Sequence, residues 1–167
     1  FERRIFGLAR STDLLLANGV VGVDLRELLL GQLDPFRPED EGRMTVEGPA
    51  TRLNVQAAQI LGMAAHELAT NAVKYGAFQK DGGSLSVTWA RGPENLDFDW
   101  RETARSFVPP TGRKGFGTTV LENMVGRSLG AQVERIVHPD GLEWRFSIPL
   151  GAIDPARGPE EAEKPAN

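Results

Sequence analysis

The order of elements along this 167-residue chain predicts an α/β two-layer sandwich, a mixed sheet backed by one layer of helices. Three observations carry that expectation. A long amphipathic helix is preceded by one strand pattern and followed by two, and a second helix is followed by two more. The later strands place their large apolar residues on one side only, as a sheet does when its other face meets solvent. The connections are marked by glycine, proline, asparagine and aspartate, the residues that turns require.

Taken in order, residues 1–18 place Phe1, Ile5, Leu8, Thr12 and Leu15 on one helical stripe, which needs a partner to be stable, and Asn18-Gly19 closes it. Asp24 caps a short helix, Leu25 to Leu33, stopped by Asp34-Pro35. Arg43 to Glu47 alternates Met44 and Val46 as an edge strand. Asn54 caps the longest helix, which runs to Tyr75 and stops at Gly76. Its apolar stripe is Leu61, Ala64, Leu68, Ala72 and Tyr75. Leu85, Val87 and Trp89 alternate in one strand; Leu96, Phe98 and Trp100 alternate in the next. Residues 103–116 lack periodicity and read as a mobile loop. Gly117 opens a helix to Leu129 that buries Val120, Leu121, Met124, Val125 and Leu129. A hairpin follows, Val133 and Val137 before the turn at His138–Gly141, then Leu142, Trp144, Phe146 and Ile148 on one face. From Gly151 onward no large apolar side chain follows Ile153, so residues 151–167 are expected to be a disordered tail.

Composition excludes several functions. Nineteen basic against twenty-three acidic residues give a net charge of −4, which is not a nucleic-acid saddle. The absence of cysteine removes disulfides, thiolate metal sites and cysteine nucleophiles. The two histidines, His66 and His138, are too few for a histidine-rich metal centre, and His138 is expected at the surface. No apolar run is long enough to span a bilayer, so no membrane contact is expected. The opening Phe-Glu-Arg-Arg has neither a methionine nor a signal core and reads as part of a larger cytoplasmic protein.

Three places carry chemistry. On the long helix Glu67, Asn71 and Lys74 recur at i, i+4 and i+7, a line of carboxylate, amide and ammonium suited to water, a divalent cation and a phosphate. The same line is also compatible with an ordinary solvated face. Gly112 to Thr119 contains Gly115-Phe116-Gly117-Thr118 ahead of a helix, where backbone amides turn toward an anion, or only make a tight turn. Glu102 ends a strand on the same face as Leu96, Phe98 and Trp100, and a carboxylate there needs a partner such as a ligand amino group.

Together these features resemble the ATP-binding domain of bacterial sensor histidine kinases of the HWE family. The likeness covers roughly residues 1–150. It rests on His66-Glu67-Leu68-Ala69-Thr70-Asn71-Ala72-Val73-Lys74-Tyr75-Gly76-Ala77, on Trp100-Arg101-Glu102, on Gly115-Phe116-Gly117-Thr118, and on the flanking Val46–Pro49 and Gly141–Trp144. The resemblance implies the Bergerat (GHKL) fold, with residues 1–20 as part of a dimerisation hairpin, 21–150 as the catalytic ATP-binding domain and 151–167 as tail. It implies Asn71 as the Mg²⁺ ligand, Lys74 near the phosphates, and Glu67 as the base with His66 orienting it. Glu102 would meet the adenine amino group, while Tyr75, Gly115, Gly117 and Thr118 also contact ATP and residues 103–114 form a lid. It implies a homodimer through the first helix and an upstream one bearing the phosphoacceptor histidine, and a response regulator receiver domain as partner. Thr103-Ala104-Arg105-Ser106 stands where the family usually has glycines and a proline, which leaves open a degenerate module that serves as a phosphotransfer or dimerisation scaffold. A free-standing GHKL serine kinase is the third reading, opposed by the stripe at residues 1–15.

Overall fold

A computed structural model describes residues 22–39, 41–79, 82–104 and 120–156. The helix expected at 1–18, most of the 103–116 loop, the glycine box and the end of the tail lie outside those residues.

The strands in chain order are β1 (Val23–Asp24), β2 (Met44–Glu47), β3 (Arg52–Leu53), β4 (Ser84–Arg91), β5 (Asn95–Thr103), β6 (Gln132–His138) and β7 (Gly141–Pro149). Five of them form one sheet in the order β2-β4-β5-β7-β6. Only the β2–β4 pair is parallel. A parallel pair needs a long crossover, and the helix between β2 and β4 supplies it. β1 and β3 form a separate two-residue antiparallel ribbon.

Strand alternation puts the apolar residues on one face. Val87, Trp100 and Trp144 lie side by side across β4, β5 and β7, as do Trp89, Phe98 and Phe146. All six are buried. Against them pack helices α1 (Leu25–Leu33) and α2 (Val55–Tyr75). Both begin as the sequence predicts: Asp24 Oδ2 accepts from the Glu27 N–H at 3.1 Å, and Asn54 Oδ1 from the Ala57 N–H at 2.8 Å. The buried stripe of α2 is rich in alanine, which lets the helix lie close to its neighbours. At its crossing with α1, Gly62 leaves room for Leu28.

The expected helix after the glycine box is described from residue 120, and its middle, Glu122–Arg127, is a π-helix. Leu121, Val125 and Leu129 are buried there, as their spacing suggests.

Two expectations change. Tyr75 does not join the buried stripe of α2: it is 74% exposed, whereas Ala72, one turn earlier, is fully buried. Nor does order stop at Gly151. Leu150–Ile153 forms a short helix, α3, with Ile153 only 2% exposed. The Asn54 amide donates to the Ala152 carbonyl at 3.0 Å and to the Asp154 carbonyl at 3.2 Å, and the Asn54 N–H donates to Ile153 at 2.8 Å. One side chain thus caps α2 and fastens the end of the domain. Beside it Gly22, at φ +100°, lies against Pro155 and the Leu53 carbonyl.

Candidate functional site

The last two turns of α2 carry the first group of predicted residues. Glu67 and Asn71 are half-buried and Lys74 is exposed. His66 is half-buried and meets Phe36 edge-on, with ring centroids 5.8 Å apart. Its carbonyl accepts from Thr70 Oγ at 2.9 Å. The helix then ends at Gly76, whose N–H bonds the Ala72 carbonyl at 3.1 Å; Phe78 uses the same carbonyl at 2.9 Å. Between them the Ala77 N–H needs another acceptor.

That acceptor is Glu102. Its Oε1 takes the Ala77 N–H at 3.1 Å, and its Oε2 takes the Trp100 indole N–H at 2.9 Å. The carboxylate is 3% exposed. The partner that a carboxylate on this face needs is thus supplied in part by two donors of the protein itself. A carboxylate offers about four acceptor positions, so two remain. Burial pushes the Glu102 carboxyl above its ordinary range, and the Ala77 and Trp100 donors pull it back. Gly76 makes this geometry possible, since a Cβ there would overlap Glu102 Oε1.

The Glu102–Ala77 bond joins the end of β5 to the end of α2, so Trp-x-Glu and the Asn71–Lys74 line sit at one end of the molecule. Gly115, Gly117 and Thr118 lie outside the described residues, as does the lid from residue 105 onward. Ala104, at the start of that segment, bonds the Asp140 carbonyl at 2.8 Å.

A second polar cluster, unforeseen from the sequence, occupies the outer face of the sheet. His138 is not a free surface residue: its Nε2 lies 2.8 Å from Glu143 Oε1. Arg145 Nε bonds Glu143 Oε2 at 3.1 Å and lies 3.8 Å from Asp99 Oδ1. Burial and the adjacent Glu143 push Asp99 up to about 7, while the hydrogen bond from Asp99 draws Glu143 down. The pairing of β5 with β7, which sets Asp99 opposite Arg145 and Arg101 opposite Glu143, brings these groups together. Asp99, Glu143 and Arg145 of this cluster line a concavity of 890 Å³ together with Asp97, Gln132 and Glu134.

Comparisons with known proteins bear on the family and the fold. Residues 1–50 match the family model described as HWE histidine kinase. The chain is 32% identical over 150 residues to a blue-light-activated histidine kinase of Rhizobium johnstonii, covering 89% of this chain and 43% of that protein. It is 34% identical over 131 residues to blue-light-activated histidine kinase 1 of Erythrobacter litoralis, covering 77% and 36%. The chain thus spans less than half the length of these curated relatives. Among solved structures, the histidine kinase domain of the Erythrobacter litoralis EL346 kinase superposes with a TM-score of 0.71 at 18% identity, over 90% of this chain and 74% of that one. The catalytic domain of histidine kinase ThkA superposes with a TM-score of 0.58 at 13% identity, over 76% and 94%. The mixed sheet with its helical layer is therefore the fold of histidine kinase catalytic domains, and the chain belongs to the HWE histidine kinase family.

Proposed function

We propose that this chain is the ATP-binding catalytic part of a sensor histidine kinase, passing the γ-phosphoryl group to an imidazole outside it. The observation that carries this reading is the Glu102–Ala77 bond, which brings an acceptor for an amino group to the helix end that bears Asn71 and Lys74. The residues fit the ligand. Glu102 keeps acceptor positions for the adenine amino group. Lys74 is an exposed point charge for phosphate. Among the described residues no three carboxylates or histidines gather to hold a metal. As the family resemblance implies, Mg²⁺ would take the Asn71 amide oxygen and complete its shell with phosphate oxygens and water. When bound it neutralises phosphate charge.

Glu67 would be the base that accepts the imidazole proton, and His66, packed on Phe36, would orient it. The exposed Tyr75 ring would supply a side wall, and the resemblance assigns Gly115, Gly117 and Thr118 to the phosphates. The chain's own histidines are poor acceptors of the phosphoryl group. His66 is built into the nucleotide helix, and His138 lies on the far face of the sheet bonded to Glu143. In the whole protein the partners are a response regulator receiver domain and a second copy joined through residues 1–20. The match of residues 1–50 to the family model supports that assembly. No described helix is long and apolar enough to cross a membrane, and a cytoplasmic setting suits an ATP site.

Titration with a non-hydrolysable ATP analogue, with and without Mg²⁺, tests the reading. Mg²⁺ should tighten binding to the wild type, and Asn71→Ala should lose the Mg²⁺-dependent part. Equal affinity of both proteins at saturating Mg²⁺ would refute the role of Asn71.

A further inference from the structure

Trp100 has no part in the reading above, yet its one polar atom is aimed at the site. The ring is fully buried between Val87 of β4 and Trp144 of β7. A buried indole N–H needs an acceptor. Trp89 finds an ordinary one, the Pro49 carbonyl at 2.8 Å. Trp100 instead donates to a buried carboxylate two residues along the same strand face. Burying a carboxylate is costly, so a packing requirement alone would be met more cheaply by a carbonyl.

We propose that Trp100 is a positioning residue: its indole N–H holds the Glu102 carboxylate in the orientation that leaves its remaining acceptor positions to the amino group of a purine nucleotide. This rests on the nucleotide reading of Glu102 and adds to it the group that aims the carboxylate. Of the two donors on Glu102, one is the main-chain N–H of Ala77; the indole is the side-chain donor. No other charged group acts on the carboxylate among the described residues. Its register neighbours are Leu85 on β4 and Leu142 on β7, and the helix end presents Gly76 and Ala77. Arg101 reaches only the Glu102 main-chain carbonyl and Asp140. Two donors oppose the effect of burial, so removing the indole N–H should raise the pH at which Glu102 protonates.

The test uses the 167-residue chain, wild type and Trp100→Phe. Carboxyl-carbon NMR follows Glu102 against pH without nucleotide, and the Trp100 indole proton is followed in the wild type. Binding of Mg²⁺-ATP is compared with Mg²⁺-ITP, whose base lacks the amino group. The wild-type indole proton should titrate with the Glu102 midpoint. Trp100→Phe should raise that midpoint, lower the preference for ATP over ITP by about tenfold or more, and move the acid loss of ATP binding to higher pH. An unchanged midpoint and an unchanged ATP-to-ITP ratio, or equal weakening of both nucleotides, would overturn the proposal. If Trp100→Phe does not fold, the wild-type indole decides: a signal indifferent to the Glu102 titration overturns it, and one that follows supports it. A wild type that binds ATP and ITP alike overturns the amino-group part through Glu102 itself, whatever the indole shows.

Discussion

Replacing Gly76 with alanine sets two effects of opposite sign against each other. Gly76 has φ −124°, outside the left-handed region that favours glycine. Alanine at a compatible position stabilises by about 0.4–1 kcal/mol, because the unfolded chain has less freedom to lose. Against this, the new methyl overlaps Glu102 Oε1 and comes within 3.2 Å of Ala72 Cα. The backbone atoms cannot yield easily, so the carboxylate must turn away from Ala77. A buried hydrogen bond to a charged group is then lost, worth about 1.5–3 kcal/mol. The second effect is larger, so Gly76→Ala should destabilise the chain by about 1–2 kcal/mol. Urea unfolding followed by tryptophan fluorescence measures it. The cause is isolated in a Glu102→Ala background, where the overlap disappears and the same alanine should be neutral or mildly stabilising. A Gly76→Ala protein as stable as the wild type, or an equal loss in both backgrounds, would refute the reasoning.

Two further outcomes follow from other parts of the molecule. Asn54→Asp keeps the cap on α2 but cannot donate to the Ala152 and Asp154 carbonyls, so it should cost about 1 kcal/mol and expose the chain after Leu150 to proteases first; equal protease resistance would count against the tether. Asp99 has a folded pKa raised to about 7, so its favourable contribution is full below the ordinary carboxylate range and is lost as pH rises through 7. Asp99→Asn should therefore gain on the wild type in denaturation at pH 8 compared with pH 5, on the order of 1 kcal/mol after allowing for solvent screening; a pH-independent difference would sink that account.

Much of the fold could be read from the sequence because the signals were local. Asn54 and Gly76 bracket α2, and the period-two runs after Gly83 mark the strands with their buried faces. What escaped was non-local or too short to have a period. β1 and β3 are two residues each and exist only by pairing across the chain. The helix at Ile153 is four residues long and is held by an amide about a hundred positions away. Tyr75 fits the apolar period yet is exposed, because periodicity alone does not fix burial in the last turn of a helix. Glu102 was singled out on sound grounds, the cost of a carboxylate on an apolar face. One of its partners, Ala77, offers only a backbone N–H, which no side-chain pattern reveals. The link between His138 and Glu143 needed the hairpin register.

The anchorage at Asn54 also governs how mechanical input enters this domain. Gly22, Asn54 and Pro155 gather at the N-terminal end of α2, so the chain segments on either side of the described domain attach at one point. The 21 residues of α2 make a rod about 31 Å long. Asn71, Lys74 and the clasp of Gly76 on Glu102 lie at its other end. A twist or pull delivered through either segment is therefore applied to the butt of a lever, and its tip carries Asn71 and Lys74, the residues proposed for metal and phosphate. The clasp at that tip resists such movement, so its strength sets how much of a distant torque becomes displacement at the proposed nucleotide site.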